Sequence, residues 1–216
     1  MQTNKITSTF RKVWNFPLEL PEFSQTRIMM MPVILGSYIG IPEQYTWLIR
    51  QLYQVTESRL LGHVGYLTID EKIVRANTTL RRSGIHVDGY YNGKCGAWGG
   101  GGGWGSVGNG MLTISNTSHC KAWLGIYDGI PGDDGECGHI ELNDSYEIFE
   151  ANQIYWVDGA CIHESLPVVE DTKRQFVRLS MPSNAPWFEG YTINPGGILP
   201  SNDILPKRVN YMNTNI

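Results

Sequence analysis

Apolar and polar residues alternate along this chain in short bursts, and helical spacing shows clearly only once. Ile41, Tyr45, Leu48, Ile49, Leu52 and Val55 recur at 3.6-residue intervals. Pro42 suits a first helical position, so the pattern predicts a helix over residues 42–55. Residues 26–35 form a dense apolar run that reads as a buried strand, with Pro32 arguing against a central place in a sheet. Shorter segments at 65–69, 85–91, 111–115, 121–127, 153–157 and 175–181 read as strands bounded by turn residues. Residues 1–25 show no clear period. A short helical part followed by about six to eight strands predicts a mainly β fold with flanking helices, as in a sandwich or jelly roll.

Composition narrows the function classes. At 216 residues the chain is expected to form a single domain with a core of its own. A net charge of −4 argues against a protein held to nucleic acid by bulk electrostatics. The longest apolar stretch, residues 28–36, contains Pro32 and falls short of the about 20 residues a membrane span needs. The opening residues lack the apolar block of a signal peptide. A soluble, intracellular protein with no membrane partner is expected. Cys95, Cys120, Cys137 and Cys161 form no C-x-x-C pair and are expected to be reduced thiols.

Glycine is in excess, at 25 residues, and 12 of the 27 residues from Gly84 to Gly110 are glycine. The run Gly99–Gly103 is flanked by Trp98 and Trp104. Residues 103–108 match a dinucleotide fingerprint in form, but the following MLTIS reads as a strand rather than the helix that motif must open. The tract reads either as a surface loop or as a lid, with Trp98, Trp104 and Tyr90 as its candidate substrate contacts.

The chemistry centres on His86-Val87-Asp88. On a strand, residues two apart point to one face, so an imidazole and a carboxylate project together at a spacing suited to one metal ion. His163, after the apolar segment 153–157 and a turn, supplies a third ligand. Two imidazoles and a carboxylate form a facial set that leaves positions of an octahedral Fe(II) open. Further on, Arg174, Phe176, Arg178 and Ser180 alternate onto one strand face. A guanidinium with a nearby hydroxyl suits a dicarboxylic cosubstrate. His63, His119 and His139 have no partner at ligand spacing, and Arg11, Lys12, Arg81 and Arg82 read as a solvated surface.

His86-x-Asp88, then His163 followed by Leu166-Pro167-Val168, then a downstream arginine, resembles the Fe(II)/2-oxoglutarate-dependent dioxygenase superfamily. The segment ANQIYWVDGACIHESLPVVEDTKRQFVRLSM is similar to that family's two closing strands. The resemblance implies a double-stranded β-helix (jelly roll, cupin-like) over 85–182, with 1–80 as an N-terminal elaboration and 183–216 as a C-terminal extension. It implies Fe(II) on His86, Asp88 and His163, with the far carboxylate of 2-oxoglutarate on an arginine. Arg178-Leu179-Ser180 fits an Arg-x-Ser pattern used by part of the family and is favoured for that carboxylate because the Ser180 hydroxyl comes with it, whereas Arg174 has the more ordinary separation from the second histidine. The activity implied is hydroxylation of a small molecule or a protein side chain by molecular oxygen, with succinate and carbon dioxide released. Two other readings fit the same residues: a metal-dependent hydrolase or isomerase of cupin type, and a non-catalytic jelly-roll binding protein. The Gly99–Gly103 tract follows no pattern of the family and leaves the substrate open.

Overall fold

A computed structural model describes residues 5–88, 90–91, 94–95, 110–132, 135–182, 187–201 and 204–205. Within them the protein is mainly β, with nearly all strands paired antiparallel. The first strands are β1 (Lys5–Ser8), β2 (Phe10–Lys12), β3 (Arg27–Ile34) and β4 (Val64–Val74). Helix α1 (Thr46–Gln54) lies between β3 and β4, led in by a 3-10 turn at Glu43–Tyr45. The middle of the chain gives β5 (Tyr90–Tyr91), β6 (Lys94–Cys95), β7 (Met111–Ser115), β8 (Cys120–Trp123) and β9 (Gly125–Asp128). The remainder gives β10 (Glu147–Ile148), β11 (Tyr155–Val157), β12 (Ile162–Ser165), β13 (Thr172–Ser180), β14 (Trp187–Phe188) and β15 (Ile204–Leu205).

A six-stranded sheet in the order β2-β11-β7-β13-β4-β3 is the frame. One face of it is apolar and covered. Leu67, Ile69, Leu112, Ile114, Val177 and Leu179 pack there against Leu48, Ile49 and Leu52 of α1. The helical spacing seen in the sequence thus delivers its apolar stripe to the sheet. Pro42 stands just ahead of the 3-10 turn, so the α-helix begins later than the expected start. Pro32 lies on β3, at the sheet's edge, where a missing N–H breaks no ladder.

The other face of the sheet carries alternate residues of β13 and faces a three-stranded sheet, β10-β8-β12. Met111, Tyr155 and Val157 of the large sheet pack with Ala122 of β8 and with Cys161, joining the two layers. Residues 5–12 bridge them as well. β1 pairs with β9, and β2 pairs with β11. Between them, Ser8 is fully buried, accepts from the Ile162 N–H at 2.8 Å and donates to the Trp123 carbonyl.

Three expectations change. Of the expected strand 85–91, the described residues 85–88 lie outside any strand and β5 covers Tyr90–Tyr91. His86 makes isolated bridges to Glu136 and His163, and Gly84, at φ +78°, bends the chain just before them. Residues 121–127 are two strands, β8 and β9, split at Leu124, whose side chain is exposed. The period-free opening segment holds two strands, too short for a pattern to show. After β13, residues 187–201 fold back onto β3. The Trp187 indole donates to the Met30 carbonyl at 2.8 Å, and Asn194 Nδ2 donates to the Pro32 carbonyl at 3.0 Å. Among the described residues no helix is long and apolar enough to cross a membrane. Among the described residues Cys120, Cys137 and Cys161 form no disulfide.

Gly110 opens β7 at φ +92°, and a Cβ there would meet the Val157 carbonyl at 2.6 Å. A left-handed conformation costs an L-residue about 1–2 kcal/mol before any clash. Gly110→Ala is therefore expected to destabilise the fold by about 2 kcal/mol or more. Urea unfolding checks this through a lowered midpoint at unchanged slope.

Candidate metal centre

Backbone pairing brings the three expected ligands together. The His86 N–H donates to the His163 carbonyl and the His163 N–H to the His86 carbonyl, each at 2.9 Å. This reciprocal pair fixes the rings side by side, with centroids 4.4 Å apart. Asp88, two residues on, returns to the same side. Its Oδ1 lies 3.7 Å from His86 Nε2 and 3.8 Å from His163 Nε2. One donor atom from each of the three residues falls within 4.8 Å of the others.

The outer partners aim these atoms. His86 Nδ1 lies 2.7 Å from the Gly84 carbonyl oxygen, and His163 Nδ1 lies 2.9 Å from the Cys161 carbonyl oxygen. A carbonyl only accepts, so each Nδ1 carries the proton and each Nε2 lone pair is left facing Asp88. Burial, and then the neighbouring His163, push the His86 pKa down to about 3, so the ring is neutral at pH 7. The Asp88 carboxyl is held well below the usual range. Burial alone would raise it, but His163, Arg178, Arg81 and His86 together outweigh that. Neutral imidazoles and an ionised carboxylate are the states in which these groups bind metal.

The arginines of β13 are not equivalent. Arg178 is 2% exposed and donates from Nη1 to Asp88 Oδ2 at 2.8 Å. Its Nη2 touches Met30 Sδ at 3.4 Å, and its Nε has no hydrogen-bond partner among the described residues. Asp88 thus turns one oxygen to the histidines and the other to Arg178. Arg174, 3% exposed, has no carboxylate partner among the described residues. It donates to Ser115 Oγ at 3.3 Å and lies 5.8 Å from the Phe176 ring. Burial lowers both guanidinium pKa values to about 10, so both remain charged at neutral pH. Ser180, almost fully buried, follows Arg178 on the same face.

The expected surface position of Arg81 is corrected. Its guanidinium lies 5.2 Å from the Phe176 ring, and its Nη1 is buried without a hydrogen-bond partner among the described residues. Long-range packing against β13, invisible in the local sequence, draws it in. Arg82 is half-buried and lies 3.7 Å from Glu136, whereas Arg11 and Lys12 stay exposed. His119 also turns inward, with a buried Nδ1 that has no hydrogen-bond partner among the described residues. His63 and His139 are exposed. Trp98, Trp104 and the Gly99–Gly103 tract lie outside the described residues, and Tyr90 enters only as a backbone pair with Cys95. Comparison of the chain with protein-family models, with curated proteins and with solved structures finds no match.

Proposed function

We propose that the chain is an Fe(II)- and 2-oxoglutarate-dependent oxygenase built on a double-stranded β-helix. The observation that carries this reading is the convergence of His86 Nε2, Asp88 Oδ1 and His163 Nε2 beside the arginine-bearing face of β13. The donor set fits the ion. Two imidazoles and one carboxylate suit Fe(II) and leave positions open for other ligands, whereas a structural zinc site takes four protein ligands. Two facing antiparallel sheets with α1 outside support the fold assignment.

Iron(II) held by His86, Asp88 and His163 would supply the redox chemistry that decarboxylates 2-oxoglutarate with dioxygen to succinate and carbon dioxide, one oxygen atom entering succinate and the other the organic substrate. The residues of the chain do the positioning. The Gly84 and Cys161 carbonyls hold the two rings in one tautomer. Arg178 holds Asp88 in place and keeps it ionised. Because Arg178 is committed to Asp88, Arg174 is the β13 guanidinium left for the distal carboxylate of the cosubstrate, despite the Arg-x-Ser pattern around Arg178. Burial of Arg174 strengthens such a contact by excluding competing water.

Turnover tests this reading. In air, with Fe(II) and ascorbate, the protein is expected to form succinate from 2-oxoglutarate slowly without a primary substrate. Replacing iron with zinc, or introducing His163→Ala, is expected to stop it. No succinate from the iron form, with ester hydrolysis by the zinc form instead, would replace the oxygenase by a metal hydrolase.

A further inference from the structure

Strand β3 breaks its alternation beside Arg178. Ile28 pairs with Ile69 of β4 and Met31 with Leu67, so two residues, Met29 and Met30, stand opposite the single Thr68. This is a β-bulge, a device that re-aims a side chain and recurs next to active sites. Its effect shows in the packing. Ile28 and Met31 both join the helix-covered core, whereas Met30 packs with Tyr66 and Trp187. Strict alternation would have put Met30 beside Ile28. The extra residue is conformationally unfavourable, because Met30 sits at φ +47°, a region an L-residue normally avoids.

Distant residues hold that conformation. The Trp187 indole donates to the Met30 carbonyl at 2.8 Å, and Thr68 Oγ1 accepts the Met30 N–H at 3.2 Å. Thr192 grips Met29 twice: its N–H donates to the Met29 carbonyl and its hydroxyl accepts the Met29 N–H, each at 2.9 Å. The side chain so placed ends at Arg178. Nη2 of Arg178 donates to Met30 Sδ at 3.4 Å, while Nη1 donates to Asp88 Oδ2 at 2.8 Å. A thioether is a weak, uncharged acceptor, so it touches the guanidinium without competing for its charge. Two contacts on different nitrogens of one planar fork fix its rotation. Asp88 is then held with Oδ2 on Arg178 and Oδ1 toward His86 and His163.

We propose that Met30 is a positioning residue of the metal centre: the β3 bulge, clamped by Trp187, sets the Met30 thioether against Arg178 and so fixes which oxygen of Asp88 faces the two histidines. The proposal rests on the metal centre described above and not on its oxygen chemistry. It makes the segment after β13 part of the support of a site whose ligands lie about a hundred residues earlier and in β12.

Co(II) is the probe, since it takes the same donors as Fe(II) and its visible d–d bands follow its geometry. The full-length, metal-free protein is titrated with Co(II) and followed by absorption. Met30→Leu keeps the bulk and removes the sulfur. It is expected to weaken Co(II) binding by about threefold to tenfold, less than the about 10–100-fold that loss of a direct outer partner costs, and to alter the bands. Trp187→Phe keeps an aromatic ring and drops the indole N–H, and should move both readouts the same way. Because the two act in one line, the double variant should be no worse than Met30→Leu alone. Met29→Leu changes the neighbouring side chain of the bulge and should bind Co(II) as wild type does. Thermal unfolding of the metal-free forms separates a lost contact from a lost fold, and Trp187→Phe carries the comparison if Met30→Leu does not fold. Wild-type affinity and bands in the single variants would overturn the proposal, as would losses that simply add in the double variant. Wild-type protein that binds no Co(II) would remove the metal centre itself, and this role with it. Co(II) binding with the expected effects, but no keto acid chelation by the iron form, would leave Met30 in its role and sink the oxygenase reading alone.

Discussion

His163→Ala is expected to abolish tight Fe(II) binding while leaving the fold intact. The ring is one of three donors, and among the described residues its side-chain hydrogen bond runs from Nδ1 to the Cys161 carbonyl. Loss of an outer hydrogen-bond partner of a ligand typically costs about 10–100-fold in metal affinity, so loss of a ligand should exceed 100-fold. Asp88→Ala is a poorer test of the site. It strips the carboxylate from buried Arg178, and a buried charge left without its partner costs about 3–5 kcal/mol of stability. The fold would be weakened for a reason unrelated to metal. His139→Ala is the matching control, since that ring is exposed and bonds the Ile130 carbonyl. Anaerobic equilibrium dialysis against Fe(II) reads the difference. Equal affinity in wild type and His163→Ala would remove His163 from the metal centre.

The second large effect belongs to Glu71, on the helix-covered face of the sheet. It is 1% exposed and accepts from the Ser24 and Thr26 N–H groups at 2.8 and 2.7 Å. Tyr45 Oη at 2.5 Å and Gln175 Nε2 at 2.7 Å also donate to it. One carboxylate thus ties the segment before β3, the turn into α1 and strand β13 to β4. Burial by itself raises its pKa, but these hydrogen bonds outweigh burial and hold it below the ordinary value. Glu71→Ala leaves several donors buried and unpaired at about 1–3 kcal/mol each, so a loss of about 4 kcal/mol is expected. Because the folded pKa is depressed, the carboxylate's contribution is fully present above the unfolded value of about 4.3. It is lost as pH falls through the lower folded value. Denaturant melts from pH 7 to pH 3 should show wild type losing stability over that acid range and Glu71→Ala losing less of it. A parallel acid loss in both proteins would assign the effect to other carboxylates.

Local patterns in the sequence were legible wherever the structure itself is local. The apolar stripe of 41–55 shows because α1 buries one continuous face. His86 and Asp88 show because two residues on an extended backbone share a side, even though only His86 is bridged there. β1, β2, β10 and β12 are two to four residues long, too short for alternation to register. What remained hidden depends on distant partners. The pairing of Arg178 with Asp88 joins residues 90 apart in the chain, and that pairing decides which arginine is left for an anion. Arg81 is next to Arg82 and looks like surface until Phe176 is seen beneath it. Glu71 looks like a polar interruption of a strand, because its donors come from three separate places in the sequence.

The most direct test of the oxygenase reading is anaerobic absorption spectroscopy of the metal-free protein titrated first with Fe(II) and then with 2-oxoglutarate. A visible charge-transfer band marks a 2-oxo acid chelating iron through its keto acid end. The band should appear in wild type, vanish in His163→Ala and require at least tenfold more 2-oxoglutarate in Arg174→Ala. Iron that binds with no band on adding 2-oxoglutarate would contradict the assignment.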